Sequence, residues 1–245
     1  MMFKSASKII LYISGIIVLM AQISNGAKVS GTIISDTVWT NDEVVEIIGN
    51  VNVASIASLT IEAGTVVRVG YLMSLEVAGH LAVEGREGEP VIFTSAADTA
   101  GGDPSPGDWY SILFTEGASG AFNYCTIRNS INSIYATSAT IEAYDCRIEN
   151  FMSRAFFLNC PYEDSLVPVT IDHCVITQSD PAVVGVGIGI YALYGYNLSV
   201  SHTEVTHCRN GIEIVSGANR IPHFLIRRCE ISKNTGDGIY AYGSG

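Results

Sequence analysis

Basic side chains are scarce in this chain. Thirteen Lys and Arg stand against 24 Asp and Glu in 245 residues, a formal net charge of -11. Residues 1–26 hold Lys4 and Lys8 and no acid, so the remainder carries 11 basic against 24 acidic residues, or -13. A phosphate backbone needs a basic footprint, which removes nucleic acid as a partner. Charged residues of both signs make up only 15%, and no long stretch shows the apolar spacing of an amphipathic helix. Abundant Ser, Thr, Ile and Val with 24 Gly leave a strand-and-turn composition. No Cys-x-x-Cys occurs, and His202 and His207 do not have the His-Glu-x-x-His pattern, so no zinc motif is present. After the N-terminus no apolar run reaches spanning length.

The N-terminus reads as an address. Lys4 and Lys8 precede an apolar run from Ile9 to Met20, and the small residues Ser24 and Gly26 are placed for cleavage. This is the pattern of a secretory signal peptide over residues 1–26, with a secreted or cell-surface chain starting at Ala27 and no membrane segment in it. No cysteine near the cut marks a lipoprotein.

A short phrase recurs in the second half. It runs Tyr124-Cys125-Thr126-Ile127-Arg128-Asn129, then Asp145-Cys146-Arg147-Ile148-Glu149-Asn150, and returns at His173–Gln178, His202–His207 and Arg228–Lys233. The anchors at 125, 146, 174, 203 and 229 are 21, 28, 29 and 26 residues apart. A strand-like repeat of this size is the signature of a solenoid, one elongated body. Four of the six cysteines, Cys125, Cys146, Cys174 and Cys229, share the anchor position. They are expected to stack as buried thiols and not to form a disulfide framework. Cys160 and Cys208 lie outside that ladder.

The first half has strand patterns around Gly turns, in Ser58–Val69 and Ser74–Gly85, then Pro90–Ser95. The order Leu-Thr-Ile-Glu-Ala-Gly-Thr-Val-Val, Leu-Ala-Val-Glu-Gly, Pro-Val-Ile-Phe-Thr-Ser and Gly107-Asp108-Trp109 resembles the opening coils of secreted bacterial right-handed β-helix proteins of the pectate-lyase-like superfamily. The resemblance covers nearly all of residues 44–245. It implies an all-β, right-handed single-stranded parallel β-helix of about eight coils, with three short strands per coil. Residues 27–43 are expected to cap the first coil, since an open sheet end invites pairing with another chain. The last residues stop within a coil, which points to further C-terminal parts of the same protein.

Alternation along each anchor strand predicts outward columns at about 4.8 Å per rung. One is Tyr124, Asp145, His173, His202 and Arg228. The next is Thr126, Arg147, Val175, Glu204 and Glu230. The third is Arg128, Glu149, Thr177, Thr206 and Ser232. Tyr124, Asp145, Arg147, His173, His202, Glu204, Arg228 and Glu230 are therefore candidates for binding an extended sugar chain, against the plain alternative of a solvated face. Asn129, Asn150 and Gln178 follow the strands and are expected to stack as structural amide ladders. Gly185-Val186-Gly187-Ile188-Gly189 lacks the following helix that a phosphate loop needs.

Enzyme echoes are partial. Thr170-Ile171-Asp172-His173 is similar to a pectate lyase phrase but lacks its Trp, and Arg220-Ile221-Pro222 has Leu225 where the second Arg belongs. Asn234–Gly238 resembles a polygalacturonase phrase with an extra Gly. If the chain is a lyase or hydrolase, Glu204, Glu230 and Arg228 are the catalytic candidates. Asp98, Asp103 and Asp108 lie in or beside the loop 96–106 and offer oxygen ligands for calcium, the one cofactor the sequence suggests. The expectation is a scaffold binding extracellular polysaccharide along one face. The alternatives are a polysaccharide lyase or glycoside hydrolase on the same fold, and an adhesin-type architectural protein without a sugar ligand.

Overall fold

Short β-branched runs separated by single Gly or polar turns can bury their apolar side chains by winding into a stack of coils. The computed structural model describes residues 26–161, 166–180, 183–216 and 223–243, with short pairs at 12–13 and 16–17. Apart from that antiparallel pair, Tyr12–Ile13 with Ile16–Ile17, every strand lies parallel to its neighbours one coil away. The rest of the expected signal peptide, like Arg220–Pro222, lies outside the described residues.

The coil has three faces. The first holds Val66–Val69, Val91–Ser95, Cys125–Arg128, Arg147–Glu149, Val175–Thr177, Glu204–Thr206 and Glu230–Ser232. The second holds Ser74–Val77, Ser111–Phe114, Asn132–Thr137, Arg154–Cys160, Ile188–Tyr194, Asn210–Ser216 and Ile239–Gly243. The third runs from Thr37–Trp39 through Ser58–Glu62, His80–Glu84, Ser119–Asn123, Thr140–Tyr144, Val167–Asp172 and Tyr196–Ser201 to His223–Arg227. Val45–Val53 bends through the first face and into the second, pairing with both Val66–Val69 and Ser74–Val77. The described residues thus complete eight coils and two strands of a ninth. Residues 27–43 cover the next coil by forming a coil themselves: Ala27–Ile33 pairs with Val45–Val53, and Thr37–Trp39 with Ser58–Glu62.

Alternation fills the bore. On the first face Phe93, Ile127, Ile148, Ile176 and Val205 stack, beside Cys125, Cys146 and Cys174, all fully or almost fully buried. The Cys125 and Cys146 sulfurs are 3.3 Å apart without a disulfide. Thr203 takes the anchor position in the next coil, and its Oγ1 donates to Ser201 O at 2.8 Å. The hydrogen bond with Cys125, together with burial, pushes the Cys146 thiol well above its ordinary range. Burial pushes Cys208 up to about 12. Such thiols are packing groups, not nucleophiles.

The corners correct one expectation. Tyr124, Asp145, His173, His202 and Arg228 have φ values of 43°, 54°, 53°, 48° and 54°. They are left-handed corner residues between the third and first faces, not members of a flat strand face. Asn129, Asn150, His207 and Lys233 take the same conformation at the far end of the first-face strands. The turn amides also differ from a side-chain ladder. Asn150 Oδ1 accepts from the main-chain N–H of Ser179 and Asp180, and Gln178 Nε2 donates to Phe151 O at 2.6 Å. Each bond satisfies main chain of a neighbouring coil.

The Gly run has a steric role. Gly185 and Gly187 have φ of 74° and 75°, and a Cβ on Gly187 would lie 2.7 Å from Ser153 O. A Cβ on Gly189 would lie 2.6 Å from Gly211 O.

Candidate functional site

Three surfaces gather polar chemistry. The first is the corner column. His, Asp and Asn tolerate the left-handed conformation better than most residues, which suits Asp145, His173 and His202. The ladder continues through the corner: Asp145 N bonds Asp172 O, His173 N bonds Ser201 O, and His202 N bonds Arg227 O. Successive side chains are thereby held one rung apart.

At its centre Asp172, the last residue of its third-face strand, faces both imidazoles. His202 Nδ1 lies 2.9 Å from Oδ1 and His173 Nδ1 lies 3.2 Å from Oδ2. The rings stack with centroids 4.5 Å apart and planes 17° from parallel. Ser201 Oγ donates to Asp172 Oδ1 at 2.7 Å. Arg228 Nη1 reaches His202 Nε2 at 3.4 Å. Partial burial alone would raise the Asp172 carboxyl, but hydrogen bonds from His202 and Ser201 and the neighbouring His173 outweigh it and hold it at about 2. Asp145 sits beside Tyr124 and pushes that phenol up.

The second surface is the first face itself. The register places Thr126, Arg147, Val175, Glu204 and Glu230 in one column, and Arg128, Glu149, Thr177, Thr206 and Ser232 in the next, as the alternation predicts. Its groups are mostly occupied with one another. Arg147 Nε pairs with Glu149 Oε2 at 2.7 Å. Thr206 Oγ1 donates to Glu204 Oε1 at 3.1 Å, and Ser232 Oγ to Glu230 Oε1 at 2.9 Å. Thr177 and Thr206 are buried. Arg228 turns to His202 and makes no ion pair with Glu230.

The acidic loop does other work. Asp98 accepts from Arg128 Nη2 at 2.7 Å and from Thr94 Oγ1 at 2.8 Å. Asp108 accepts from Ser95 Oγ at 2.6 Å and from Ser105 N at 2.9 Å, next to Trp109, whose Nε1 donates to Arg128 O. Among the described residues Asp98, Asp103 and Asp108 do not gather into a common ligand set; Asp172, His173 and His202 do.

The third surface has no counterpart among the columns expected from the repeat. On the second face the register aligns Leu113, Tyr135, Phe157, Tyr191, Glu213 and Tyr240. Tyr135 and Phe157 stack at 4.4 Å, and Phe157 and Tyr191 lie 5.6 Å apart. The Arg154 guanidinium sits 4.5 Å from the Phe157 ring centre and 4.6 Å from that of Tyr191. Beside it lies a shallow depression of about 210 Å³ lined by Met152, Ser153, Arg154, Gly187, Ile188 and Arg209. Ser153 Oγ accepts from Arg154 Nη1 at 3.0 Å. No carboxylate of the described residues pairs with Arg154 or Arg209, and Arg154 Nε is buried without a partner. The sequence does carry a signal for this ladder. Each ring follows the inward residue of its coil, at Ile134-Tyr135, Phe156-Phe157, Ile190-Tyr191 and Ile239-Tyr240.

Three faces of parallel strands closed around an apolar bore define a parallel β-helix with polar and aromatic columns along its outside. The chain belongs to the right-handed β-helix family: the family model described as right handed beta helix region matches residues 111–245. A second, described as pectate-lyase like beta helix domain, matches residues 31–135. No curated protein and no solved structure matches the chain.

Proposed function

We propose that the protein is a secreted or cell-surface scaffold that binds extracellular polysaccharide along its second face. The aromatic ladder of Tyr135, Phe157 and Tyr191 carries this reading. The stacked rings cover one another's faces, so a sugar chain lying along the ladder meets their edges and the phenol hydroxyls of Tyr135 and Tyr191, the apolar body and polar tip that suit sugar C–H and O–H groups. Rungs about 4.8 Å apart repeat on the scale of one sugar residue. Arg154 and Arg209 add a carboxylate- or sulfate-sized anchor beside the ladder, since guanidinium groups match such oxyanions in a planar fork. A local pair of arginines is what an acidic glycan would need on a protein of net charge -11.

The test uses the chain from Ala27 against plant, algal and bacterial polysaccharides by affinity electrophoresis. One glycan retards the protein, and Phe157→Ala weakens that retardation about tenfold, near 1.4 kcal/mol. Arg154→Ala weakens it for acidic glycans alone. Equal retardation of wild type and Phe157→Ala, or none by any glycan, sinks the proposal. Parallel assays follow unsaturated uronates by absorbance and new reducing ends. Turnover in either replaces the scaffold by a lyase or a hydrolase, with Arg228, Glu204 and Glu230 the first positions to substitute.

A further inference from the structure

We infer that Asp172, His173 and His202 form a binding site for a divalent transition-metal ion, with Zn²⁺ as the fitting probe. The inference stands on the corner geometry and is independent of glycan binding on the second face.

The donor set is two imidazole nitrogens and one carboxylate, all within 4.8 Å of one another. The His202 Nδ1 to Oδ1 and His173 Nδ1 to Oδ2 separations, 2.9 and 3.2 Å, are close to the spacing of ligand atoms about 2.0–2.2 Å from a zinc ion. Two nitrogen donors select against calcium and magnesium, which take oxygen, and for zinc, nickel or copper. The support is prearranged. Ser201 Oγ donates to the carboxylate, the outer hydrogen bond that commonly orients a metal ligand. The left-handed corners at 173 and 202 hold both imidazoles on one edge of the coil.

Binding replaces the protons now shared between the imidazole Nδ1 atoms and Asp172 with one cation. The two rings, now stacked, must fan apart to meet it. His173, whose side chain is 56% exposed, is free to make that rotation. The same exposure leaves a coordination position open to solvent or to an oxygen ligand, the pattern of sites with three protein ligands. Arg228 opposes the ion: its guanidinium lies on the far side of His202, 3.4 Å from Nε2, and lowers affinity by charge repulsion.

Calorimetric titration of the tag-free chain from Ala27 with Zn²⁺ is the experiment, with Co²⁺ absorption as a spectroscopic reading of imidazole ligation. Wild type binds one equivalent. His202→Asn, His173→Asn and Asp172→Asn each weaken binding at least about tenfold and remove the Co²⁺ bands. Asn keeps the corner conformation accessible, and thermal unfolding without metal checks that the variants fold. His207→Ala and His80→Ala bind as wild type. Arg228→Ala binds several-fold more tightly. Absence of binding by wild type, binding that survives both His173→Asn and His202→Asn, displacement of Zn²⁺ by equimolar Ca²⁺, or weaker binding by Arg228→Ala overturns the site.

Discussion

Asp98 is the leading residue of the expected calcium loop, and its carboxylate instead meets Arg128. The two are 30 residues apart, but Thr94 and Arg128 occupy neighbouring rungs of the first face, and both converge on Asp98. Neighbouring aspartates in sequence suggest a common ligand; coil stacking supplies a cation first. Burial alone would raise the Asp98 carboxyl, but the hydrogen bonds from Thr94 and Arg128 and the Arg128 charge lower it. Ionised Asp98 therefore contributes stability in full above its ordinary value of 3.8 and loses it as pH falls through the lower folded value. Arg128→Ala is expected to reduce the difference between urea midpoints at about pH 6 and about pH 3. The effect is under about 1 kcal/mol, because the pair is partly exposed. Equal pH dependence in the two proteins contradicts this account.

Strands and their register are legible because the anchor residue and the Ile two places on repeat with period two, and burial of one fixes the outward direction of its neighbours. The residue before each anchor breaks that rule. Alternation extrapolates through Tyr124, Asp145, His173, His202 and Arg228, where the backbone has already entered a left-handed corner. His173 and His202 are legible as neighbours in one column, but not as ligands of one ion, because Asp172, the last residue of its strand, turns its carboxylate to both rings only at the corner. The aromatic ladder is hidden because each ring sits next to a core residue and reads as part of the same apolar pair. The Gly185–Gly189 turn gives a measurable contrast. Gly187→Ala forces a left-handed alanine against Ser153 O and is expected to cost at least about 2 kcal/mol. Gly88 has φ of 81°, but a Cβ there would meet nothing within 4 Å, so Gly88→Ala costs about 1 kcal/mol. Denaturation midpoints that shift equally would remove the steric part of the explanation.

Along the whole solenoid each strand pairs only with strands of the neighbouring coils, so the outermost coil covers the sheet edges behind it. Ala27–Ile33 and Thr37–Trp39 lie over Val45–Val53 and Ser58–Glu62. A chain starting at Val44 presents Val45, Ile47, Val51 and Val53, all now buried, on an open parallel edge. It is expected to associate more strongly than the chain from Ala27, read by light scattering of both at the same micromolar concentration. A monomeric shortened chain would show that the first coil is dispensable. The corner between the third and first faces keeps one form from Tyr124 to Arg228, while length varies at the corner between the first and second faces, as in the loops 96–110 and 178–187. A duplicated stretch of DNA that begins and ends at that invariant corner would add a complete coil, with its bore and its outward columns already in phase. The molecule can therefore lengthen by copying, and its reach along a partner is open to selection one repeat at a time.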